Sequence, residues 1–461
     1  MFKFLGGIHP DDGKSLSREQ AIEIMPLSKE LVVPMAQHIG APCKPLVKAG
    51  DIVKKGQLIG DHEAFMNAKV HAPTSGKVTK VEMRPHSGMN EALSVVIEPD
   101  GVDEWADGLP LNRDYTKMTK EEIVKAIGDA GIVGMGGATF PAHIKLTPKK
   151  YIDTLIINGA ECEPYLTADD RLMREDAARI VEGAKILAKM LETDKNVIAM
   201  EDNKPEAYET MKKAAEGTNI EVAKLPTRYP QGAEKMLIYV ITGREVPAGG
   251  LPMDVAAVVQ NVGTAAAVAD AVEKGLPLIE RVTTVTGDAI ANPKNLRVRI
   301  GTKYKDAIDF CGGFKETPSK VIAGGPMMGF AQHNLEVPIM KGSSGILALT
   351  AKITAHEAER PCIRCGRCVD ACPMGLVPSM LSIYGQRGNF VAARDEYGVM
   401  NCIECGSCTY VCPAKRNIVQ YIRHTKGELR RIAAEEKAKQ EAKAKGEQEK
   451  TEKGGNDNSG K

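Results

Sequence analysis

Residues 361–373 read Pro-Cys-Ile-Arg-Cys-Gly-Arg-Cys-Val-Asp-Ala-Cys-Pro, and residues 401–413 read Asn-Cys-Ile-Glu-Cys-Gly-Ser-Cys-Thr-Tyr-Val-Cys-Pro. Both segments have the spacing Cys-x2-Cys-x2-Cys-x3-Cys-Pro, so they form an internal repeat. Eight of the 11 cysteines lie in these two segments, while Cys43, Cys162 and Cys311 are spread over the rest of the chain. This uneven distribution excludes a disulfide scaffold for the whole chain and indicates one small, sulfur-ligated module.

The repeated spacing resembles that of bacterial ferredoxins, whose cysteines hold [4Fe–4S] clusters. In two-cluster ferredoxins the fourth cysteine of each run ligates the other cluster, so the repeat predicts crossed ligand sets. One cluster is predicted on Cys362, Cys365, Cys368 and Cys412, and the other on Cys402, Cys405, Cys408 and Cys372. Two neighbouring clusters indicate an electron relay, because a purely structural cluster needs no neighbour.

Structural zinc and disulfides are the alternatives for these cysteines. A structural zinc site takes four ligands and needs neither a third cysteine at the same spacing nor the Cys-Pro ending. Disulfides are rare in the cytoplasm, which is the default compartment because polar residues His9–Asp12 leave no room for a secretory apolar segment. The cluster interpretation is therefore preferred. The three cysteines outside the repeat are expected to be buried apolar side chains.

The composition is that of an ordinary globular protein. The chain has 461 residues, 43% of them hydrophobic and 26% charged, which excludes wholesale disorder. Its length suggests roughly three domains. The formal charge of +1 argues against a nucleic-acid-binding protein with a broad basic field. No apolar run approaches the roughly 18 residues that a membrane-spanning helix needs.

The amino-terminal part of the chain is rich in strand and turn signals. Between residues 42 and 98, short apolar runs alternate with turns such as Gly50-Asp51 and Pro73-Thr-Ser-Gly76. This pattern predicts a small all-β module at residues 30–100, and it resembles the barrel-sandwich hammerhead of biotinyl and lipoyl domains. In that family a lysine at a hairpin tip carries the prosthetic group, whereas Phe65 occupies the tip here. We therefore interpret the module as a structural or docking domain.

Residues 119–226, within a domain predicted at residues 115–275, alternate between helix and strand signals. A capping box at Thr119–Glu122 opens an amphipathic helix. A βαβαβ order predicts a parallel sheet with its ligand at the carboxyl ends of the strands. The strand and helix patterns of this order follow at residues 154–158, 177–191, 197–200, 205–215 and 220–224.

Residues 278–345 return to β-runs, with a helix at Tyr304–Phe310, and this order predicts a small β-grasp domain. Residues 355–425 hold the cysteine repeat and are predicted to form a ferredoxin-like helical domain with two clusters. The last stretch, 426–461, is rich in charged residues and is predicted to be a charged helix that frays into a disordered tail.

A glycine-rich loop, Gly131-Ile-Val-Gly134-Met-Gly136-Gly137-Ala-Thr-Phe140-Pro141, precedes Lys145. It lacks the Gly-Lys-Ser/Thr of a Walker loop, and it does not follow a strand as a dinucleotide fingerprint does. Glycines allow a backbone to approach a flat ring or a phosphate, but they also make ordinary tight loops. The loop alone leaves both interpretations open.

The predicted strand at residues 154–158 ends in Asn158-Gly-Ala-Glu161-Cys-Glu163-Pro. Two carboxylates at positions i and i+2 of a strand end can hydrogen-bond a ribose or a ring. A solvated acidic turn is the alternative.

The glycine loop and this acidic strand end together resemble two motifs of the NADH-binding flavoprotein subunit of respiratory complex I. Two further segments, Tyr229–Glu234 and Gln260–Thr264, are similar to elements of that family in the same order. Met135, Ala233 and Gly263 stand where that family has Arg, Glu and Glu.

The chain as a whole resembles the RnfC family, the peripheral C subunits of ion-translocating ferredoxin:NAD+ oxidoreductase complexes. The matching segments, in chain order, are Gly6–Pro10, the hammerhead, Gly134–Pro141, Asn158–Pro164, Arg228–Gly232, Gly324–Gly329 and both cysteine runs. The resemblance implies a multidomain α/β and β protein with a Rossmann-like core that binds FMN and NAD(H), a β-grasp (SLBB) soluble-ligand-binding domain and two [4Fe–4S] clusters.

The resemblance also implies site residues, position by position. For FMN they are Gly134, Gly136, Gly137, Ala138, Lys145, Asn158, Glu161, Tyr229, Asn261 and Thr264. For NAD(H) and catalysis they are Phe140, Glu163 and Glu234. Lys145 is expected to offset the negative charge of the flavin or phosphate, Phe140 to pack near the rings, and the two carboxylates to orient the nicotinamide.

The function implied by the resemblance is that of an oxidoreductase and translocase subunit that moves electrons between NAD(H), FMN and two clusters. It is expected to dock on integral-membrane and iron–sulfur subunits at the cytoplasmic face of the membrane, with ferredoxin reached through other subunits and no nucleic acid involved. Two alternatives share the architecture: a cobalamin reductase of diol-utilising microcompartments, and a non-catalytic electron-wiring subunit with an empty nucleotide pocket. A zinc-binding adaptor is the most distant alternative.

Overall fold

The structure, a computed structural model, describes residues 3–355 and 358–454, with side chains as far as residue 440. The chain divides into two compact units. The first comprises Met1–Phe4 and Ile8–Ala355, and the second comprises Leu5–Gly7 and His356–Lys461. Within the described residues, no helix combines the length and the apolar character that crossing a membrane requires.

Short strands build the amino-terminal part of the first unit. They are β1 (Ile22–Ile24), β2 (Leu31–Pro34), β3 (Lys44–Pro45), β4 (Ile52–Val53), β5 (Leu58–Asp61), β6 (Val70–His71), β7 (Gly76–His86) and β8 (Met89–Pro99). Strands β2, β8, β7 and β4 form one antiparallel sheet, and β3, β5 and β6 form a second. Val33, Ile59 and Val95 are fully buried in the core of this module. The predicted all-β module is confirmed, and Phe65, in the connection from β5 to β6, is 79% exposed.

Helices and strands then alternate as predicted. They are α1 (Lys120–Asp129), α2 (Ala142–Lys145), β9 (Thr154–Asn158), α3 (Ala168–Glu175), α4 (Ala177–Leu191), β10 (Lys195–Glu201), α5 (Pro205–Ala215), β11 (Ile220–Leu225), α6 (Glu234–Thr242), β12 (Ala257–Asn261) and α7 (Val262–Lys274). The predicted capping box is present, since the Thr119 side chain accepts the Glu122 N–H and the Glu122 side chain accepts the Thr119 N–H. Buried side chains from α1, α4, α7 and the sheet pack together in the largest hydrophobic core.

The sheet of this region is parallel throughout, in the order β11-β10-β9-β12. The chain leaves β9 toward β10 and β11 on one side, and returns to pair β12 on the other. The strand order therefore reverses between β9 and β12, and the space at the carboxyl ends of these two strands, here called the crevice, is the usual ligand position in sheets of this type. Asn158 and Asn261 are register partners at these two strand ends.

The remainder of the first unit is a mixed sheet with one covering helix. Its elements are β13 (Glu280–Thr286), β14 (Lys294–Arg299), α8 (Tyr304–Phe310), β15 (Lys320–Ala323), β16 (Phe330–Gln332) and β17 (Gly345–Leu349), followed by α9 (Ala351–Thr354). The sheet order is β1-β14-β13-β17-β15-β16, so strand β1 joins it from the amino terminus. Helix α8 buries Tyr304, Ala307 and Ile308 against the sheet. The helix and the β-runs predicted in this region are confirmed, whereas β1 is too short and too exposed to show in the sequence pattern.

The second unit is helical. Its helices are α10 (Arg367–Asp370), α11 (Pro378–Gln386), α12 (Phe390–Asp395), α13 (Ser407–Tyr410) and α14 (Ile418–Gly454). Short 3-10 helices occur at Val399–Asn401 here and at Lys14–Leu16, Tyr115–Lys117 and Pro252–Val255 in the first unit. Leu381, Val399, Ile418 and Ile422 are buried in the core of this unit.

Helix α14 confirms the charged helix predicted after residue 425. Residues 426–454 are helical, while residues 455–461, to which the predicted disordered end would extend, lie outside the described residues. The segment is dominated by Glu, Lys, Ala and Gln, which have high helix propensity. Side-chain pairs one turn apart, such as Arg431 with Glu428 at 2.9 Å and with Glu435 at 2.5 Å, support the helix further.

Candidate nucleotide site and iron–sulfur centre

The glycine loop lies over the crevice between β9 and β12. The Gly134 N–H donates to the Phe140 carbonyl at 2.9 Å, and the Thr139 N–H donates to the Gly134 carbonyl at 3.2 Å, which closes the loop on itself. Residues 136–138 form its exposed tip. Gly137 has a φ of +108° and no atom within 4 Å of a side chain built there, so the tip has open space beside it.

Two contacts tie the loop to the amino terminus of α7. The Met135 N–H donates to the Thr264 hydroxyl at 2.9 Å, and a Cβ placed on Gly136 would lie 3.5 Å from the Asn261 side chain. Asn261 caps α7 through its side-chain oxygen, and its Nδ2 donates to Asp169 at 2.6 Å. The loop therefore takes its position from the end of β12.

Asn158 holds the end of β9 in a similar way. Its Nδ2 donates to the Gly232 carbonyl at 2.9 Å, and its Oδ1 accepts the Ala160 N–H at 3.1 Å. The structure thus brings the predicted residues of the glycine loop, Asn158, Asn261 and Thr264 together at one edge of the sheet. An exposed glycine backbone beside two strand ends fits a flat ring and its phosphate, so FMN is compatible with the residues present.

Lys145 and Glu234 are also brought together, because they form an ion pair with each other. Lys145 lies at the end of α2 and Glu234 opens α6, and their side chains are 25% and 38% exposed. The family resemblance assigns Lys145 to FMN and Glu234 to NAD(H), and those contacts stay predictions. The structure adds that the two charges balance each other at the rim of the crevice.

Glu161 is turned inward. Its carboxylate accepts the N–H groups of Asp169 at 2.7 Å and Asp170 at 3.2 Å, so it binds the first turn of α3. Burial raises the pKa of Glu161 to about 8, and the ammonium of Lys14, 4.0 Å away, opposes that rise. In this arrangement Glu161 orders the acidic strand end from within.

Lys14 is a residue that no sequence pattern indicated. It is 1% exposed, and its Nζ donates to the carbonyls of Glu161 at 2.9 Å, Glu163 at 3.1 Å and Leu166. Burial lowers the pKa of Lys14. No local motif marks this lysine, because the loop that it organises lies far along the chain.

Glu163 joins the strand end to the turn between β15 and β16. Its Oε1 accepts the N–H groups of Met327 at 2.7 Å and Met328 at 2.8 Å, and Tyr229 also hydrogen-bonds it. Burial raises the pKa of Glu163, and these donors oppose the rise. Tyr229 is 2% exposed. Contact of Glu163, Tyr229 or Phe140 with a nucleotide stays a prediction.

Arg281, on β13, is a second residue missed from the sequence. It is 4% exposed, and its guanidinium donates to the Lys341 carbonyl at 2.5 Å and to the Met135 carbonyl at 3.5 Å. Burial lowers its pKa to about 10, and Asp169 opposes this shift. A positive charge therefore lies beneath the glycine loop, although the loop itself has Met135 where the complex I family has arginine.

Lys341 binds the base of the same loop. Its Nζ donates to the carbonyls of Gly131 at 2.7 Å and Lys69 at 2.6 Å, and the side chain is 1% exposed. Burial lowers the pKa of Lys341 to about 7. This lysine links the glycine loop to the amino-terminal β-module.

The cysteines of the second run converge on one pocket. It is lined by Cys372 together with Cys402, Cys405 and Cys408, which is the ligand set predicted from crossed ligation. Burial raises the pKa of the Cys408 thiol, as do the neighbouring thiols of the other three. For the other predicted set, Cys412 is close enough to add to the raised pKa of Cys368, which burial causes first.

Among residues 3–355 and 358–454, no group of three or more His, Cys, Asp or Glu side chains is arranged to hold a single metal ion. The preference for clusters over zinc rests on the sequence repeat, whose third cysteine and Cys-Pro ending a four-ligand zinc site does not need.

The cysteines outside the repeat differ from one another. Cys43 and Cys311 are 3% and 0% exposed, as predicted. Cys162 is only partly buried by surface area, and its sulfur accepts the Gly232 N–H at 3.2 Å. Cys162 thus helps to hold the turn that Asn158 also binds.

Family models match four consecutive parts of the chain. An RnfC barrel sandwich hybrid domain matches residues 2–102, and a Nuo51 FMN-binding domain matches residues 127–270. An SLBB domain matches residues 282–331, and a 4Fe-4S dicluster domain matches residues 355–413. The glycine loop, both strand ends and the first turns of α7 all lie in the FMN-binding match.

Curated relatives align with nearly the whole chain. The C subunit of the proton-translocating ferredoxin:NAD(+) oxidoreductase complex of Clostridium ljungdahlii is 58% identical, over 95% of this chain and 96% of the relative. The C subunit of the Na(+)-translocating ferredoxin:NAD(+) oxidoreductase complex of Acetobacterium woodii is 48% identical, over 92% and 97%. The C subunit of an ion-translocating oxidoreductase complex of Rhodobacter capsulatus is also 48% identical, over 93% and 83%.

The buried ammonium of Lys341 predicts a pH dependence of stability. Its pKa is about 7 in the folded chain and 10.5 when unperturbed. Between these values the unfolded chain binds more protons, so the free energy of unfolding rises with pH, by up to about 1.4 kcal/mol per pH unit. We expect Lys341→Met to flatten this rise in denaturant titrations followed by Trp105 fluorescence. Lys212→Met, an exposed lysine on α5, controls for the lost charge, and an unchanged slope in Lys341→Met contradicts the prediction.

Crossed ligation predicts which of the two clusters each cysteine ligates. In a Cys362→Ala/Cys365→Ala background we expect about four irons to remain, on the second run. Adding Cys372→Ala should remove them, because Cys372 lines that pocket, whereas adding Cys412→Ala should leave them in place. Iron and sulfide analysis of anaerobically purified protein measures this. The opposite pattern would show that each run ligates its own cluster.

Proposed function

The chain belongs to the RnfC family, the C subunits of ion-translocating ferredoxin:NAD(+) oxidoreductase complexes, and we propose that it exchanges electrons with NAD(H) within such a complex. It is an oxidoreductase subunit with an FMN-binding domain and two [4Fe–4S] clusters. The observation that carries the proposal is the glycine loop, which lies over the sheet crevice inside the FMN-binding match. The eight-cysteine repeat in the same chain provides the path for the electrons.

The chain's residues bind and orient the nucleotides, and FMN, when bound, supplies the chemistry that accepts a hydride from NADH and releases single electrons. We assign FMN contact to Gly134, Gly136, Gly137, Ala138, Lys145, Asn158, Glu161, Tyr229, Asn261 and Thr264. The exposed backbone of the loop tip supports this assignment. Glu161 and Tyr229 also order the strand end, because their polar groups form hydrogen bonds within the protein.

We assign NAD(H) contact to Phe140, Glu163 and Glu234. Glu234 is the most accessible of the carboxylates, and its ion pair with Lys145 places both side chains at the rim of the crevice. A nucleotide phosphate that draws Lys145 toward itself would release Glu234 for hydrogen bonds to the nicotinamide end. The Glu163 carboxylate also holds the turn between β15 and β16, by accepting the N–H groups of Met327 and Met328.

We further propose the bounds of four domains in the chain, and the subunits and membrane face on which the chain docks. The modules are a hammerhead at 30–100, a Rossmann-like core at 115–275, a β-grasp domain at 278–345 and a ferredoxin-like domain at 355–425. The names of the relatives support docking on other subunits of an ion-translocating complex. We place that docking on integral-membrane and iron–sulfur subunits at the cytoplasmic face of the cell membrane, with ferredoxin reached through other subunits.

The test is reconstitution of the purified chain with iron, sulfide and FMN. We expect about eight irons per chain and bleaching of the flavin absorbance by NADH. Gly137→Asp, which puts a charge and a strained side chain on the loop tip, should abolish FMN binding and leave the iron content unchanged. Gly313→Asp is a matched control, because Gly313 also has a positive φ with open space around it. Four irons per chain, or a flavin that NADH does not reduce, contradicts the corresponding half of the proposal.

A further inference from the structure

The two cysteine runs are related by an offset of 40 residues, from Cys362 to Cys402, in structure as well as in sequence. Arg364 and Glu404, at equivalent positions, both adopt left-handed backbone conformations, with φ of 55° and 58°. Their N–H groups point to the sulfurs of Cys362 and Cys402 at 3.4 and 3.3 Å. Helices α11 and α14, which follow the runs, begin at equivalent positions. The two halves can therefore be compared residue by residue.

The second run is covered by helix α14, and the carboxylate of Glu404 in this run is paired with cations. Glu404 forms ion pairs with Arg423 at 3.2 Å and with Lys426 at 2.6 Å, both on α14, and Lys426 also donates to the Cys402 carbonyl at 3.0 Å. Cys405 is 7% exposed and Ser407 is fully buried. Helix α14 thus closes this side of the cluster pocket.

The first run has the opposite character. Arg364 and Arg367 replace Glu404 and Ser407, and both are exposed. The positions on α11 equivalent to Arg423 and Lys426 are Ile383 and Gln386, which carry no charge. In the part of the chain that the structure describes, neither arginine side chain has an ion pair or a hydrogen bond.

An apolar side chain and a ligand thiol lie between these arginines. Ile363 is 68% exposed, and Cys365, a predicted cluster ligand, is exposed as well. Asp370 is the one carboxylate of residues 361–373. The surface formed by Ile363, Arg364, Cys365 and Arg367, here called the basic edge, thus combines two exposed arginine side chains, an apolar contact and access to a redox centre.

We propose that the basic edge is the surface through which the cluster on Cys362, Cys365, Cys368 and Cys412 exchanges electrons with an acidic face of a protein redox partner in the complex. This proposal rests on the proposed function of the chain. Unpaired arginines around an accessible cluster attract an acidic surface and orient it during encounter. A partner protein is favoured over a lipid surface, because an electron leaving an exposed cluster needs a second redox centre close by, which lipid does not supply.

The test is rebinding of the reconstituted full-length chain to membranes that lack this chain but retain the other subunits of the complex. We expect Arg364→Glu/Arg367→Glu to weaken rebinding about tenfold or more in a sedimentation assay and to reduce its dependence on salt. Arg430→Glu/Lys439→Glu is the matched control, because it makes the same charge change on α14, at least 12 residues beyond the start of that helix. The control should rebind like the wild-type chain.

Four further readouts decide the outcome. Iron content and NADH-dependent reduction of ferricyanide should be the same in all variants, which shows that the flavin and clusters are intact. Rebinding of Arg364→Glu/Arg367→Glu with wild-type affinity overturns the proposal. So does equally tight binding of the wild-type chain to protein-free vesicles containing phosphatidylglycerol, which would assign the basic edge to lipid. A wild-type chain whose flavin is not reduced by NADH refutes the proposed function itself, and the docking proposal with it.

Discussion

The candidate nucleotide site depends on buried cations that bind backbone carbonyls beneath it. Lys14 holds the acidic strand end, Arg281 lies under Met135, and Lys341 binds Gly131 at the base of the glycine loop. None of the three belongs to the α/β region that carries the loop. Burying a charge costs several kcal/mol unless partners compensate it, and here carbonyl oxygens provide much of the compensation. Displacing the loop would leave these buried cations without their carbonyl partners. The cations therefore stabilise the loop in one arrangement.

Because the cations that position the site come from distant parts of the chain, the sequence predicts only some parts of the site. The parallel sheet, helix α4 and the capping box of α1 follow from periodicity and local capping, which neighbouring residues determine. The family resemblance identifies Asn158, Asn261 and the glycine loop as site residues. The order of the strands then brings them together at the carboxyl ends of β9 and β12. Lys14 and Arg281 carry no local signal, because each acts on a loop far away in the sequence. Their role becomes visible only when the chain is folded.

The acidic residues show the same limit in another way. Glu161 and Glu163 are predicted to contact the nucleotides, and the structure adds that their carboxylates accept the N–H groups of α3 and of the turn before β16. A sequence pattern identifies a residue type and a position, but not which of several nearby donors the side chain will choose. The charged helix after residue 425 shows the converse case, because helix propensity is a local signal and the sequence predicts it correctly. In the iron–sulfur unit, the repeat predicts the ligands, and departures from its symmetry identify the exposed edge.

If residues outside the α/β region position the FMN site, removing one of the buried cations must weaken FMN binding. The variant to measure is Arg281→Met, with its FMN affinity determined by quenching of flavin fluorescence in apoprotein that retains its clusters. Because the buried guanidinium positions the glycine loop, FMN should bind at least about tenfold more weakly than to the wild-type chain, with the iron content unchanged. Wild-type FMN affinity in a folded Arg281→Met protein would show that the loop holds its position without the buried cation.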